Sequence, residues 1–146
     1  MKKTNSQGNK TWLCLTAIFS LTLAPLSGSL AGGLEDVIRA YTNRGWLIHD
    51  IESDFLREGE STSMFVSISQ GDDIVVRGEG AICIRDLDIA IYLPNGRLLK
   101  RDQDRDATPY ITFRAPVSGR YRIQLKNYRM HSGCSEAEAA VILAER

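Results

Sequence analysis

Asp86-Leu87-Asp88-Ile89-Ala90-Ile91-Tyr92-Leu93-Pro94-Asn95-Gly96 carries the clearest structural pattern in the chain. Leu87, Ile89, Ile91 and Leu93 alternate with Asp86, Asp88, Ala90 and Tyr92, the period of a strand with one face buried and one face wet. Pro94-Asn95-Gly96 stops the run with a tight-turn signal. A helix cannot use this pattern, because a period of 2 scatters its apolar residues around the helical cylinder.

The same alternation recurs on both sides. Met64, Val66 and Ile68 alternate with Phe65, Ser67 and Ser69, and Ile111 and Phe113 with Tyr110, Thr112 and Arg114. Tyr121, Ile123 and Leu125 alternate with Arg120, Arg122, Gln124 and Lys126. Gln70-Gly71-Asp72 and Pro116-Val117-Ser118-Gly119 read as turns, and Ile74–Gly78, Leu98–Arg101 and Ala139–Leu143 as further strands with weaker patterns. Before them, Leu34, Val37, Ile38 and Tyr41 fall at i, i+3, i+4 and i+7, one apolar stripe of a helix. Glu35 and Asp36 open that helix, Arg44 closes it, and Gly45 suits the C′ position. The expected fold is mostly β: an antiparallel, jelly-roll-like β-sandwich of about eight strands, with one short N-terminal α-helix.

The chain begins with Lys2, Lys3 and Lys10, followed by an apolar run from Trp12 to Ala24. That run is shorter than the roughly 20 residues a stable membrane anchor needs. Pro25 and Gly28 break it, and Ser29-Leu30-Ala31 offers the small residues that signal peptidase requires. Residues 1–31 therefore read as a signal peptide, 32–46 as the amphipathic helical segment and 47–146 as the sandwich. The product is secreted or periplasmic, with no stable membrane anchor after cleavage. Removing three lysines from eighteen basic residues, against eighteen acidic ones, leaves a net charge of −3. This mild acidity, with no basic run in the sequence, argues against a nucleic-acid partner. Cleavage also removes Cys14 and leaves Cys83 and Cys134, a pair expected to form a disulfide in an oxidising compartment.

The ordered set of elements resembles bacterial pre-peptidase C-terminal domains. It comprises Asp86-Leu87-Asp88, the Asn95-Gly96 turn, the acidic loop Asp102-Gln103-Asp104-Arg105-Asp106, and Gly119-Arg120-Tyr121-Arg122-Ile123. The likeness spans roughly residues 60 to 146. The chain is also similar to stand-alone secreted proteins of Gram-negative bacteria with a leader, one helix and then the sandwich, and no protease attached. Cys83 and Cys134 sit where such proteins place cysteines, although those tend to carry more. The resemblance implies a jelly-roll-like sandwich and a non-catalytic accessory role, and it names no ligand.

The residues point away from catalysis. His49 and His131 have no metal-ligand or catalytic spacing, no nucleophile elbow is present, and Gly78-Glu79-Gly80 lacks the rest of a phosphate loop. Cys134 with His131 as a nucleophilic pair has no flanking motif to support it. No cofactor is expected, and calcium is the one that the residues could hold. Asp102, Asp104 and Asp106 alternate like the first ligands of an EF-hand, but Ala107 and Phe113 stand where Gly and Glu are needed. A different site would form if that loop met Asp86 and Asp88 at one end of the sandwich. The preferred alternative is a solvated loop neutralised by Arg101 and Arg105. Phe65, Tyr92 and Tyr110 point outward, and the expected cover for that aromatic face is the helix. The functional expectation is an exported, non-enzymatic accessory or binding module whose partner is a protein or a glycan. The alternatives are an envelope structural or protein-interaction protein, and then an orphan hydrolase.

Overall fold

The computed structural model describes residues 26–28, 30 and 33–146. A helix, α1 (Gly33–Thr42), precedes two facing sheets. The first sheet has the order β3 (Ser61–Ile68), β8 (Gly119–Met130), β5 (Ile84–Tyr92), β6 (Leu98–Asp102), all antiparallel. In the second, β9 (Cys134–Glu145) pairs antiparallel with both β2 (Leu47–Leu56) and β4 (Asp73–Gly80), and β7 (Tyr110–Arg114) lies beyond β4. A short β1 (Leu26–Gly28) runs parallel to the start of β9. The sandwich expected from alternation is the fold found.

Alternation sets the core. Met64, Val66, Leu87, Ile89, Ile91, Tyr121, Ile123 and Leu125 project from the first sheet onto Ile74, Val76, Ile111, Phe113, Val141 and Leu143 of the second. Each expected inward residue of β3, β5, β7 and β8 is buried. Tyr121 is fully enclosed, and its hydroxyl donates to Val117 O at 2.6 Å, which lets a polar group sit in this core without a desolvation cost. Gly78 lies inside β4, where a Cβ would meet Pro109 Cγ at 2.7 Å and Leu125 Cδ1 of the facing sheet at 3.1 Å, so the absent side chain lets both neighbours approach.

Helix α1 ends as its sequence requires. Gly45 has φ +79°, Trp46 N donates to Tyr41 O and Gly45 N to Thr42 O, the paired bonds of a Schellman cap. Tyr41 and Val37 then pack with Trp46 and Ile48 on Val75 and Ala144. Those two belong to β4 and β9, so the helix covers the outer face of the second sheet. The expectation that it covers the Phe65 and Tyr92 face is thereby corrected. The physical reason is that β4 and β9 bury both faces and offer the helix aliphatic seats, whereas the outer face of the first sheet carries charged residues at alternate positions.

The basic start, the apolar run and the cleavage position at Ala31 lie outside the described residues. Of the expected leader, Leu26–Gly28 form β1 and Leu30 N donates to Glu138 Oε2 at 2.9 Å. Both contacts would leave with a leader cut after Ala31. Cys83, in the turn between β4 and β5, is joined to Cys134 at the start of β9, with a Cα–Cα distance of 5.9 Å.

Candidate functional site

The outer face of the first sheet stays open, and strand register assembles it. Phe65, Arg122 and Tyr92 lie side by side across β3, β8 and β5. The next row is Ser63, Gln124, Ala90 and Arg101, and the row after that Ser61, Lys126 and Asp88. Each row runs perpendicular to the strands, so residues far apart in sequence become neighbours at the cross-strand spacing of roughly 5 Å.

Cations and rings pair off on this face. The Arg122 guanidinium lies 3.7 Å from the centroid of the Tyr92 ring, that of Arg120 4.9 Å from Phe65, and Lys126 Nζ 4.9 Å from Tyr128. Stacking holds the guanidinium planes while leaving their N–H edges free to donate. The Tyr92 hydroxyl donates to Gln124 Oε1, and Gln124 Nε2 donates in turn to Ser61 Oγ, which fixes the amide between the rows. Phe65 and Tyr128 remain half exposed, at 50% and 49%. Among the described residues the ion pairs are Arg39–Asp36, His49–Glu145 and Arg77–Glu79, so none uses Arg101, Arg120, Arg122 or Lys126. Pairing between strands thus gathers on one face four cations that sequence order disperses.

At one end the face dips into a depression of about 400 Å³ lined by Ser61, Asp88, Arg101, Gln124, Lys126 and Tyr128. Partial burial raises the pKa of Asp88 above the ordinary carboxylate value, and the negative charges of Asp86 and Asp102 add to the effect. Lys126 and Arg101 oppose it. The folded state therefore holds the Asp88 proton more tightly than the unfolded chain. Stability is lost as pH rises from the unfolded value through the folded one, and is regained on acidification. Asp88→Asn removes that penalty. We expect it to be more stable than wild type in urea melts at neutral pH, with the difference closing below pH 3.8, the ordinary Asp value. A constant difference at both pH values would contradict this account of Asp88.

The acidic residues considered for calcium are not gathered into one group. Asp86 is buried in β5 and Asp88 lines the depression. Asp102 accepts from Asp104 N and Tyr110 N, and Asp106 Oδ1 from Thr108 N and Oγ1, so these carboxylates brace their own loop. Asp104 is exposed in that loop. Among the described residues no group of three or more His, Cys, Asp or Glu is placed to hold a metal ion. Thermal melts with millimolar calcium and with chelator are expected to superimpose, and a calcium-dependent rise would restore a site in the loop.

The remaining candidates separate as well. Cys134 Sγ is committed to its disulfide and cannot serve as a nucleophile. His49 sits beside Glu145 at 3.2 Å on the second sheet. Tyr110 lies on β7 beside Arg77 of β4, and its proximity, after burial, helps to raise the Tyr41 pKa. It is thus on the helix side, apart from Phe65 and Tyr92. The sequence marked those two as outward but missed Arg101, Arg120, Arg122 and Lys126 as partners. The alternation in β8 was the available signal.

Comparison with known proteins shows no family for the chain. No family model matches the chain, and no curated protein matches it. Among solved structures it is similar to PliG of Aeromonas hydrophila, a periplasmic inhibitor of g-type lysozyme, at 12% identity and a TM-score of 0.49, covering 66% of this chain and 85% of that one. It is also similar to a de novo designed double-stranded β-helix at 14% identity and a TM-score of 0.36, covering 66% of this chain and 99% of that one.

Proposed function

We propose that the chain is an exported, non-enzymatic binding module, built on a sandwich of the pre-peptidase C-terminal type, that meets its ligand on the open face of β3, β8 and β5. The observation that carries this reading is the asymmetry between the two outer faces. The helix packs over the middle of one, while the other carries no helix, presents arginines over half-exposed rings and leaves its cations without ion pairs among the described residues. Arginine and large aromatics supply much of the energy of protein interfaces, and an excess of one sign of charge, here four cations around Asp88, guides encounter. Export is supported by the disulfide, which persists in oxidising compartments. No helix among the described residues is long and apolar enough to cross a membrane.

Peptide and glycan arrays probed with wild type and with the double variant Arg120→Glu, Arg122→Glu test the site. Ligands retained only by wild type support it. Ligands held equally by both proteins place binding elsewhere. Processing is tested separately: intact mass of the exported protein is expected to begin at Gly32, and a dominant species retaining Lys2 to Lys10 would overturn the leader reading.

A further inference from the structure

The identity of the ligand follows from the spacing of the cations, and this inference rests on the open face being the binding surface. Along β8, Arg120, Arg122, Gln124 and Lys126 project to the same side. Same-face neighbours in a strand are about 7 Å apart. An extended peptide laid along β8 has that same period, so acidic side chains at alternate positions fall beside Arg120 and Arg122. One position is skipped at the neutral Gln124, and the next acid reaches Lys126. Arg101 flanks the skipped position from β6.

The stacked guanidiniums suit carboxylates in particular. The Tyr92 ring under Arg122 and the Phe65 ring near Arg120 restrict both side chains, so less side-chain entropy is lost when each fork receives a carboxylate through parallel N–H bonds. The same stacking argues against a sugar as the principal ligand, because the Tyr92 ring already has a guanidinium 3.7 Å from its centroid. It argues equally against base stacking, in which free aromatic faces receive the bases. The face is broad and open, spanning three strands, which fits a polymer better than a small molecule.

We propose that this face docks an extended acidic segment of a partner protein, with carboxylates at alternate positions received by Arg120, Arg122 and Lys126.

The test is fluorescence anisotropy with a labelled peptide of alternating Glu and Thr. An alternating Lys and Thr peptide, oligogalacturonate and a single-stranded oligothymidylate serve as competitors. The Glu peptide is expected to bind wild type and to weaken as salt screens the contacts. It should weaken at least about tenfold in the Arg120→Glu, Arg122→Glu protein, and a tenfold change corresponds to about 1.4 kcal/mol. An unchanged melt for that protein establishes that the fold is intact. Asp88→Asn, which removes the carboxylate beside Lys126, should tighten the peptide severalfold. The proposal is overturned if the Glu peptide does not bind, or if it binds the charge-reversed protein equally. Tighter binding of oligogalacturonate or oligothymidylate overturns it in favour of those polymers. If acidic peptides fail while array ligands still depend on Arg120 and Arg122, the binding face stands and the acidic-peptide assignment falls. If array ligands ignore both arginines, the binding face itself falls.

Discussion

Replacing Cys83 and Cys134 together with serine should lower the unfolding free energy by about 4 kcal/mol, the chain-entropy value for a loop of this length. The two cysteines are 51 residues apart, and the loop they close contains β5, β6, β7 and β8, including three strands of the first sheet. An uncrosslinked unfolded chain regains the freedom of that whole segment, so the effect arises chiefly in the unfolded state. Urea denaturation of the double serine variant, beside wild type with and without reductant, measures it. Reduced wild type and the serine variant should coincide. A difference under about 1 kcal/mol would mean that the unfolded chain keeps these ends close without the bond.

Ile123→Ala should be the costliest of the single aliphatic truncations in the first sheet, at about 2–5 kcal/mol. Ile123 is fully buried on β8, paired with Met64 of β3 and Ile91 of β5, both also buried. With neighbours on both sides in the same layer, the cavity has little room to collapse. Phe65→Ala, one residue beyond Met64 on the outer face, should change stability by no more than about 0.5 kcal/mol. The two melts together test which face of this sheet is the core. Comparable losses from both variants would contradict the assignment of an open outer face.

The parts of the fold legible in sequence were those with one wet face. In β3, β7 and β8 a buried residue faces the core and its neighbour faces water, so hydropathy alternates and the strands declare themselves, while in β5 the residue types alternate although Asp86 and Ala90 are buried. Strand β9 was only partly legible because Ala139 to Ala144 are buried on both faces, between the core and the helix, which removes the alternation. Strand β2 was not visible as a strand. It is an edge strand whose Glu52 and Asp54 stand across from the core residues Val141 and Ala139, yet remain exposed where the opposite sheet does not cover them. Charges pointing inward at an edge discourage further strand pairing, and they erase the apolar pattern that would reveal the strand.

The candidate site was legible only one residue at a time. Phe65, Tyr92 and the outward Arg120, Arg122 and Lys126 could each be assigned to a wet face from its own strand. Their pairing depends on the register of three strands drawn from distant parts of the chain, and register is set by packing, beyond the reach of local sequence. For the same reason a net charge of −3 concealed a basic face: Arg120, Arg122 and Lys126 line one side of β8, and pairing through β5 brings Arg101 of β6 to the same side. The apolar stripe of α1 shows in sequence that the helix docks, but its seat on Val75 and Ala144 is set by the buried outer face of β4 and β9.

Arginine footprinting of the bound protein reads out whether the open face of β3, β8 and β5 receives the ligand. Modification by phenylglyoxal, read by mass spectrometry with and without the ligand found on the arrays, should show protection of Arg120, Arg122 and Arg101, with Arg39 and Arg44 of the helix side reacting unchanged. Protection confined to Arg39 and Arg44, with Arg120 and Arg122 reacting as in the free protein, would contradict the assignment of the open face as the binding surface.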